Sequence, residues 1–133
     1  YYGFDDALYV ASRLTALMAE KKAETGQTIT DFMDQLAEQY VSPECRIDCH
    51  DDVKFQAMEK MADAFRAEFD ESQLNFIDGV RLTTSSGWCL VRPSNTEGAL
   101  IARAEASSQE AYDALIEILK RHLSAVNISW DGP

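Results

Sequence analysis

Basic residues are scarce in this chain: Lys and Arg number 12 against 23 Asp and Glu, for a net charge of −11. That balance excludes a general nucleic-acid or membrane surface, because such a body repels phosphate backbones unless its few cations are concentrated. Cysteine is sparse too, and its count of 3 is odd, which does not suit a secreted disulfide framework. Cys45 and Cys49 fall four apart in an alternating segment, roughly 13 Å along a strand, beyond the reach of a disulfide. Reduced thiols and a cytoplasmic location are therefore expected. No run of about 18 apolar residues occurs, and no signal-peptide pattern, so no membrane partner is expected. The chain has no Ser/His/Asp set, no Walker loop, no dinucleotide fingerprint, no internal repeat and no low-complexity tract. It also lacks an initiator methionine and opens mid-element at Tyr1-Tyr2, and it reads as a piece excised from something longer.

What is present suits one domain, or one domain and part of a neighbour: 133 residues, of which 46% are apolar, enough to fill a core. From about Phe4 to Lys22 the stripe Phe4, Leu8, Ala11, Leu14 and Met18 predicts a helix, stopped by Gly26. A second helix opens at Thr28-Ile29-Thr30-Asp31, a capping pattern. It is expected to bury Ile29, Phe32, Met33 and Leu36 and to run to about Gln39. Tyr40-Val41-Ser42-Pro43 reads as a break.

Glu44 to Cys49 then alternates, with Cys45, Ile47 and Cys49 facing one way, which predicts a half-buried strand. Asp51 or Asp52 is expected to cap a helix to about Phe69 with Phe55, Met58, Ala62, Phe65 and Phe69 inward. Leu74 to Ile77, an Asp78-Gly79 turn or bulge, and Val80 to Thr84 follow. Ser85-Ser86-Gly87 turns the chain into Trp88–Val91. A further strand runs from about Ala99 to Ala106. Ser107-Ser108-Gln109-Glu110 opens a last helix with Ala111, Leu115, Ile118 and Leu123 inward. The order strand, helix, three strands, helix predicts an α+β domain: a four-stranded, mainly antiparallel sheet covered on one face by two helices, preceded by two more helices. The domain boundaries expected are 1–39 and 40–133.

The chemistry is concentrated in Arg92-Pro93-Ser94-Asn95-Thr96-Glu97, between two strand-like runs. One planar cation, two hydroxyls and an amide fall together on a turn that proline stiffens, a donor set suited to tetrahedral phosphate oxygens. Between Val80 and Ala104 stand Arg81, Arg92 and Arg103 against the single acid Glu97, so a small anion is a better partner than a polymer. Arg103 has two open roles, a phosphate contact if the loop folds back over the sheet, or an ion pair with a neighbouring carboxylate. Cys45, Cys49 and His50 lack a zinc spacing and a fourth ligand, and they read as small core residues and a surface histidine. His122 suits a helix C-terminus for the dipole alone, and Asp5-Asp6 and Asp51-Asp52 read as helix-start acids. Trp88 reads as a packed strand residue.

Asp78-Gly79-Val80-Arg81, Gly87-Trp88, Leu90-Val91 with the hexapeptide, and Glu105-Ala106 together resemble the C-terminal domain of the α-D-phosphohexomutases, which include phosphomannomutase and phosphoglucomutase. Gly3-Phe4-Asp5-Asp6 with Ala11-Ser12-Arg13-Leu14 is similar to the end of their third domain, and Tyr40 to Pro43 to the entry of the fourth. The resemblance implies a TBP-like fourth domain in an isomerase that moves a phosphoryl group between O1 and O6 of a hexose. The transfer would go through a phosphoserine and a hexose 1,6-bisphosphate intermediate.

By that resemblance Arg92, Ser94, Asn95 and Thr96 grip the unreacting phosphate. The phosphoserine, the Mg2+ ligands and the sugar-reading loop would lie outside this chain, so it would contain no catalytic or metal-binding residue and be inactive alone. Its partners would be a hexose phosphate and the other domains, with no nucleic acid. The family often has proline where this chain has Gly98, which predicts a looser loop exit. Phosphoglucosamine mutases, the alternative within the fold, usually carry lysine and glycine around the serine, where Pro93 and Asn95 stand here. A non-catalytic binding module is the alternative from another class.

Overall fold

The computed structural model describes residues 5–133, so the calls on Gly3 and Phe4 lie outside the described residues. The chain forms two compact units, divided between Ala37 and Glu38. In the first, α1 spans Ala7–Thr25. Its first turn is capped by the Asp6 carboxylate, which accepts the Tyr9 N–H at 2.9 Å. Gly26, at φ 76°, ends it by donating its N–H to the Lys22 carbonyl. Helix α2 is shorter than expected, Ile29–Met33, opened by the Asp31 carboxylate accepting from the Thr28 N–H at 2.6 Å.

The predicted burial of α2 does not occur. Ile29, Met33 and Leu36 are about half exposed or more, and no residue of either helix is buried. Two helices, one of them only 5 residues long, offer each apolar stripe too few neighbours to leave water.

The second unit, Glu38–Pro133, is α+β. Its strands are β1 (Tyr40–Val41), β2 (Cys45–Asp48), β3 (Leu74–Asn75), β4 (Val80–Thr84), β5 (Gly87–Pro93) and β6 (Ala99–Ala106), and its long helices are α3 (Asp51–Glu68) and α4 (Gln109–Ala125). All pairings are antiparallel, in the order β6-β5-β4-β3, with β1 and β2 both laid along the outer side of β6. The four long strands are those the alternation predicts, and β1 and β3 add two residues each.

The segment read as a break is partly paired, Tyr40 opposite Ala106 and Val41 opposite Glu105. Buried Ser42 carries the ladder past Pro43. Its N–H donates to the Ala104 carbonyl at 2.9 Å, and its Oγ accepts the Ala104 N–H at 3.0 Å. A side chain here replaces the backbone partner that a proline-interrupted strand cannot supply.

One face of the sheet is covered. Cys45, Ile47, Val80, Leu82, Cys89, Val91 and the even positions Leu100 to Ala106 meet Met58, Met61 and Phe65 of α3 and Leu115, Leu119 and Leu123 of α4. The run of alanines on β6 lets both helices approach closely. Three sequence expectations are corrected. Phe55 is 58% exposed, because the buried stripe of α3 runs through Lys54, Ala57, Met58, Met61 and Phe65. Asp51 and Asp52 sit in the first turn of α3, and the cap is His50, whose Nδ1 accepts the Asp52 N–H at 3.4 Å. His122 does more than face a helix dipole. It is buried, with its ring centroid 4.2 Å from that of Phe65.

The other sheet face carries neither α3 nor α4, and it bears the odd-numbered side chains of β6 and their cross-strand partners. Arg103 lies opposite Leu90 and Leu90 opposite Arg81, while Arg92 lies opposite Ile101 and Ile101 opposite Arg46.

Candidate anion-binding loop

Strands β5 and β6 are joined by Ser94 to Gly98. The last ladder pair is Pro93 with Leu100, and the loop is closed just beyond it by the Ser94 N–H donating to the Ala99 carbonyl at 2.9 Å. Inside, the Ala99 N–H donates to Glu97 O at 2.8 Å, and Ser94 Oγ accepts the Thr96 N–H at 3.4 Å. Ser94 is buried, whereas Asn95 and Thr96 are exposed. Of the four predicted residues, Arg92, Asn95 and Thr96 thus present donors at the surface, and Ser94 also shapes the turn from within. Among the described residues, the backbone N–H groups of Asn95, Glu97 and Gly98 have no acceptor. Free amides this close together in a turn, Glu97 and Gly98 consecutive among them, form a concavity of positive potential suited to an anion.

Arg92 emerges on the sheet face opposite α3 and α4, its side chain about one-third exposed, with Nη1 3.6 Å from Asp78 Oδ2. Gly79 brings Asp78 there. It adopts φ 83°, and a Cβ on it would lie 2.2 Å from the Val91 carbonyl, so only glycine lets the β3–β4 turn lie on β5 at this point.

Three further residues, Lys54, Asp51 and Arg46, hold the loop in place, and the sequence reading did not identify them in this role. Lys54, on the first turns of α3, is buried at 4% exposure. Its Nζ donates to the Ser94 carbonyl at 2.8 Å and to the Glu97 carbonyl at 2.9 Å, and lies 2.5 Å from Asp51 Oδ1. The Lys54 hydrogen bond and charge hold the Asp51 carboxyl below its usual range. Arg46 of β2 forms an ion pair with Glu97. The sequence did contain a signal for Lys54, since it stands three and four residues before the apolar pair Ala57 and Met58, on their stripe. A lysine at such a position is ordinarily read as the edge of the solvent face.

The loop exit is not slack. The Gly98 carbonyl accepts the Cys49 N–H at 3.0 Å, and a Cβ on Gly98 would already stand 3.3 Å from the Cys49 carbonyl. Arg81 stacks on Trp88, its guanidinium carbon 4.4 Å from the ring centroid. Arg103 sits diagonally across from Arg92 on the same face, a separation of roughly 7–8 Å between such positions. It has no carboxylate partner among the described residues.

The three thiols are free and buried. Burial raises the Cys45 and Cys49 thiols and pushes Cys89 up to about 12. Among the described residues no three His, Cys, Asp or Glu side chains come together as metal ligands. The acids nearest the loop, Asp51, Asp78 and Glu97, each face a cation. The donors left over are cationic and amide groups, which fit an anion and not a divalent metal.

Residues 44–121 match the family described as phosphoglucomutase/phosphomannomutase, C-terminal domain. The whole chain aligns with a phosphomannomutase/phosphoglucomutase of Pseudomonas aeruginosa at 30% identity over 133 residues, which is 27% of that protein. A probable phosphoglucosamine mutase of Pyrococcus horikoshii is 30% identical over 107 residues, 80% of this chain and 23% of its own length. A solved structure, a phosphoglucomutase/phosphomannomutase family protein of Burkholderia thailandensis, superposes with a TM-score of 0.73 at 29% identity, over 100% of this chain and 26% of that one. The chain thus spans about a quarter of the length of the relatives it matches.

Proposed function

The chain belongs to the phosphoglucomutase/phosphomannomutase family, and on that premise we propose that its β5–β6 loop grips a phosphate of a hexose phosphate. Arg92 offers a planar guanidinium, Asn95 and Thr96 offer side-chain donors, and Ser94 completes the turn that holds them. The observation that carries this reading is the set of free backbone amides at Asn95, Glu97 and Gly98 beside these side chains. Residues 1–39 belong on this reading to a preceding domain and 40–133 to the phosphate-gripping one.

The longer enzyme would be an isomerase that interconverts hexose 1-phosphate and hexose 6-phosphate through a phosphoserine and a bisphosphorylated intermediate. Its Mg2+ would be held by carboxylates elsewhere, where it assists the phosphoryl transfer. This chain's part is binding and closure. Holding the phosphate remote from the reaction drives the domains together and excludes water from the transfer. Because the intermediate must turn around, a site reading phosphate and not sugar accepts either end of it.

Similarity to proteins named phosphoglucosamine mutases supports a second substrate within the same chemistry. Pro93 and Asn95 favour the mannose and glucose branch. No helix among the described residues is long and apolar enough to cross a membrane, and a cytoplasmic enzyme is in keeping with three free thiols.

The test is titration of this chain with glucose 6-phosphate and with inorganic phosphate, following amide resonances. Shifts centred on Asn95, Thr96 and Gly98 are expected with both ligands and are to be lost in Arg92→Ala. Shifts elsewhere, or none, would refute the reading.

A further inference from the structure

We propose that Lys54 is the positioning residue of the anion site: its ammonium turns the Asn95 and Gly98 amides outward and sets a buried cation behind the loop. The proposal rests on the reading of that loop as a phosphate site.

Lys54 is an expensive choice for its position. A buried ammonium is tolerated only when paired and hydrogen-bonded, and the neighbouring stripe residues Ala57, Met58 and Met61 show that an apolar side chain would suit the core. All three ammonium protons nevertheless have acceptors: the Ser94 carbonyl at 2.8 Å, the Glu97 carbonyl at 2.9 Å and Asp51 Oδ1 at 2.5 Å. Two of those acceptors are main-chain groups of the loop itself, 40 and 43 residues away in sequence. Among the described residues no other charged side chain is buried so deeply next to this loop.

The consequence follows from peptide geometry. Among the described residues no peptide bond is cis, and in a trans peptide the C=O and the following N–H point in opposite directions. Drawing the Ser94 carbonyl inward therefore points the Asn95 N–H outward. Drawing the Glu97 carbonyl inward does the same for the Gly98 N–H. These are two of the three amides that lack an acceptor. The two carbonyls, which would repel an anion if they faced it, are neutralised on the inner side. The Lys54 charge, screened little in its buried setting, also acts through a single peptide layer on whatever the loop holds. Asp51 accepts the remaining proton from the exposed rim.

The experiment uses inorganic phosphate as the probe and this chain as the protein. Three readouts are taken: affinity from the Asn95 and Gly98 amide shifts, the Lys54 Nζ resonance in the unsubstituted chain, and the affinity again in Lys54→Met, Lys54→Arg and Arg92→Ala. Lys54→Met is expected to weaken phosphate binding about tenfold or more, the value of one charged hydrogen-bonding group, and to move the Asn95 and Gly98 amide shifts even without phosphate. Lys54→Arg is expected to restore part of the affinity. In the unsubstituted chain the Lys54 Nζ resonance should shift along the same binding curve as the two amides, a readout that stands even where Lys54→Met does not fold.

A folded Lys54→Met that binds phosphate as the unsubstituted chain does would overturn the proposal. So would a Lys54 Nζ resonance unmoved at saturation. If Arg92→Ala loses binding in either case, the phosphate reading survives alone. Failure of the unsubstituted chain to bind phosphate at the loop overturns both.

Discussion

Gly79 and Arg92 are in backbone contact: a Cβ added to Gly79 would lie 2.6 Å from the Arg92 Cα. The turn residue Asp78, next to Gly79, lies 3.6 Å from the Arg92 guanidinium. Gly79→Ala would have to adopt a positive φ and push β4 off β5 at the same place. A cost of about 2 kcal/mol or more is expected, from backbone strain plus overlap with main-chain atoms. Urea unfolding measures it. The same variant should weaken phosphate binding, since Arg92 moves with the displaced strand, and an unchanged midpoint would show that the turn can lift away freely.

Arg92→Ala separates binding from stability. Its only ion-pair partner among the described residues is Asp78, at 3.6 Å and largely exposed, and such a pair contributes about 0–1 kcal/mol to stability. Phosphate affinity should nonetheless fall about tenfold or more, because a charged donor contributes about 1.5–3 kcal/mol to a hydrogen-bonded anion. Asp78→Asn should act in the opposite direction, raising affinity by releasing Arg92 from its competing carboxylate. Calorimetric titration with phosphate at low salt reads both, and equal affinities for the two variants would remove Arg92 from the site.

The layered fold is legible in the sequence because alternation and helical spacing are strong where one face is buried. Cys45 and Ile47 of β2 and Cys49 just beyond it all enter the core, as their period requires, and Ser108 caps α4 by accepting the Ala111 N–H. The hexapeptide stands out for its residue types alone. What the sequence does not display is support from a distance. Lys54 looks like a solvent-facing lysine until α3 is rotated so that Phe55 faces outward, and that rotation is decided by tertiary packing. His122 likewise falls in the last turn of a helix, where its burial depends on Phe65 and Phe69 arriving from α3. The apolar stripe of α1 is less marked than those of α3 and α4, and no apolar residue of α1 or α2 is buried, because periodicity states which face seeks cover and not whether cover is at hand.

The free thiols give a test of packing. Cys89 is fully buried in the central strand β5, and its thiol is pushed up to about 12 by burial. The thiolate is the reactive form, so at pH 8 the native chain should leave Cys89 unmodified by an aromatic disulfide reagent while the denatured chain reacts at all 3 cysteines. Cys45 and Cys49, also raised by burial, should react slowly and ahead of Cys89. Rapid modification of Cys89 in the native chain would mean that the sheet opens far more readily than its packing allows.

Stability should fall as the pH drops below neutrality, through His122. Burial against Phe65 pushes its pKa below the ordinary 6.5, and the Glu68 carboxylate, 3.1 Å from Nε2, opposes the shift without reversing it. Arg121, bonded to the same carboxylate at 2.5 Å, adds to the lowering. The unfolded chain therefore binds a proton near pH 6.5 that the folded chain refuses until a lower pH. In that window the unfolded state holds more protons, so unfolding becomes easier as acid is added. The contribution is fully present above pH 6.5 and is lost as the pH falls through the folded value. Glu68, whose carboxyl is held below its ordinary 4.5 chiefly by the Arg121 hydrogen bond, stays ionised across this range and adds a loss of the same sign only in stronger acid. Urea midpoints measured between pH 8 and pH 5 should therefore decline for the unsubstituted chain and stay nearly level for His122→Leu. Parallel curves for the two proteins would show that the imidazole titrates alike in the folded and unfolded chain, and a midpoint that rises in acid only for the unsubstituted chain would show that Glu68 holds it charged inside the fold.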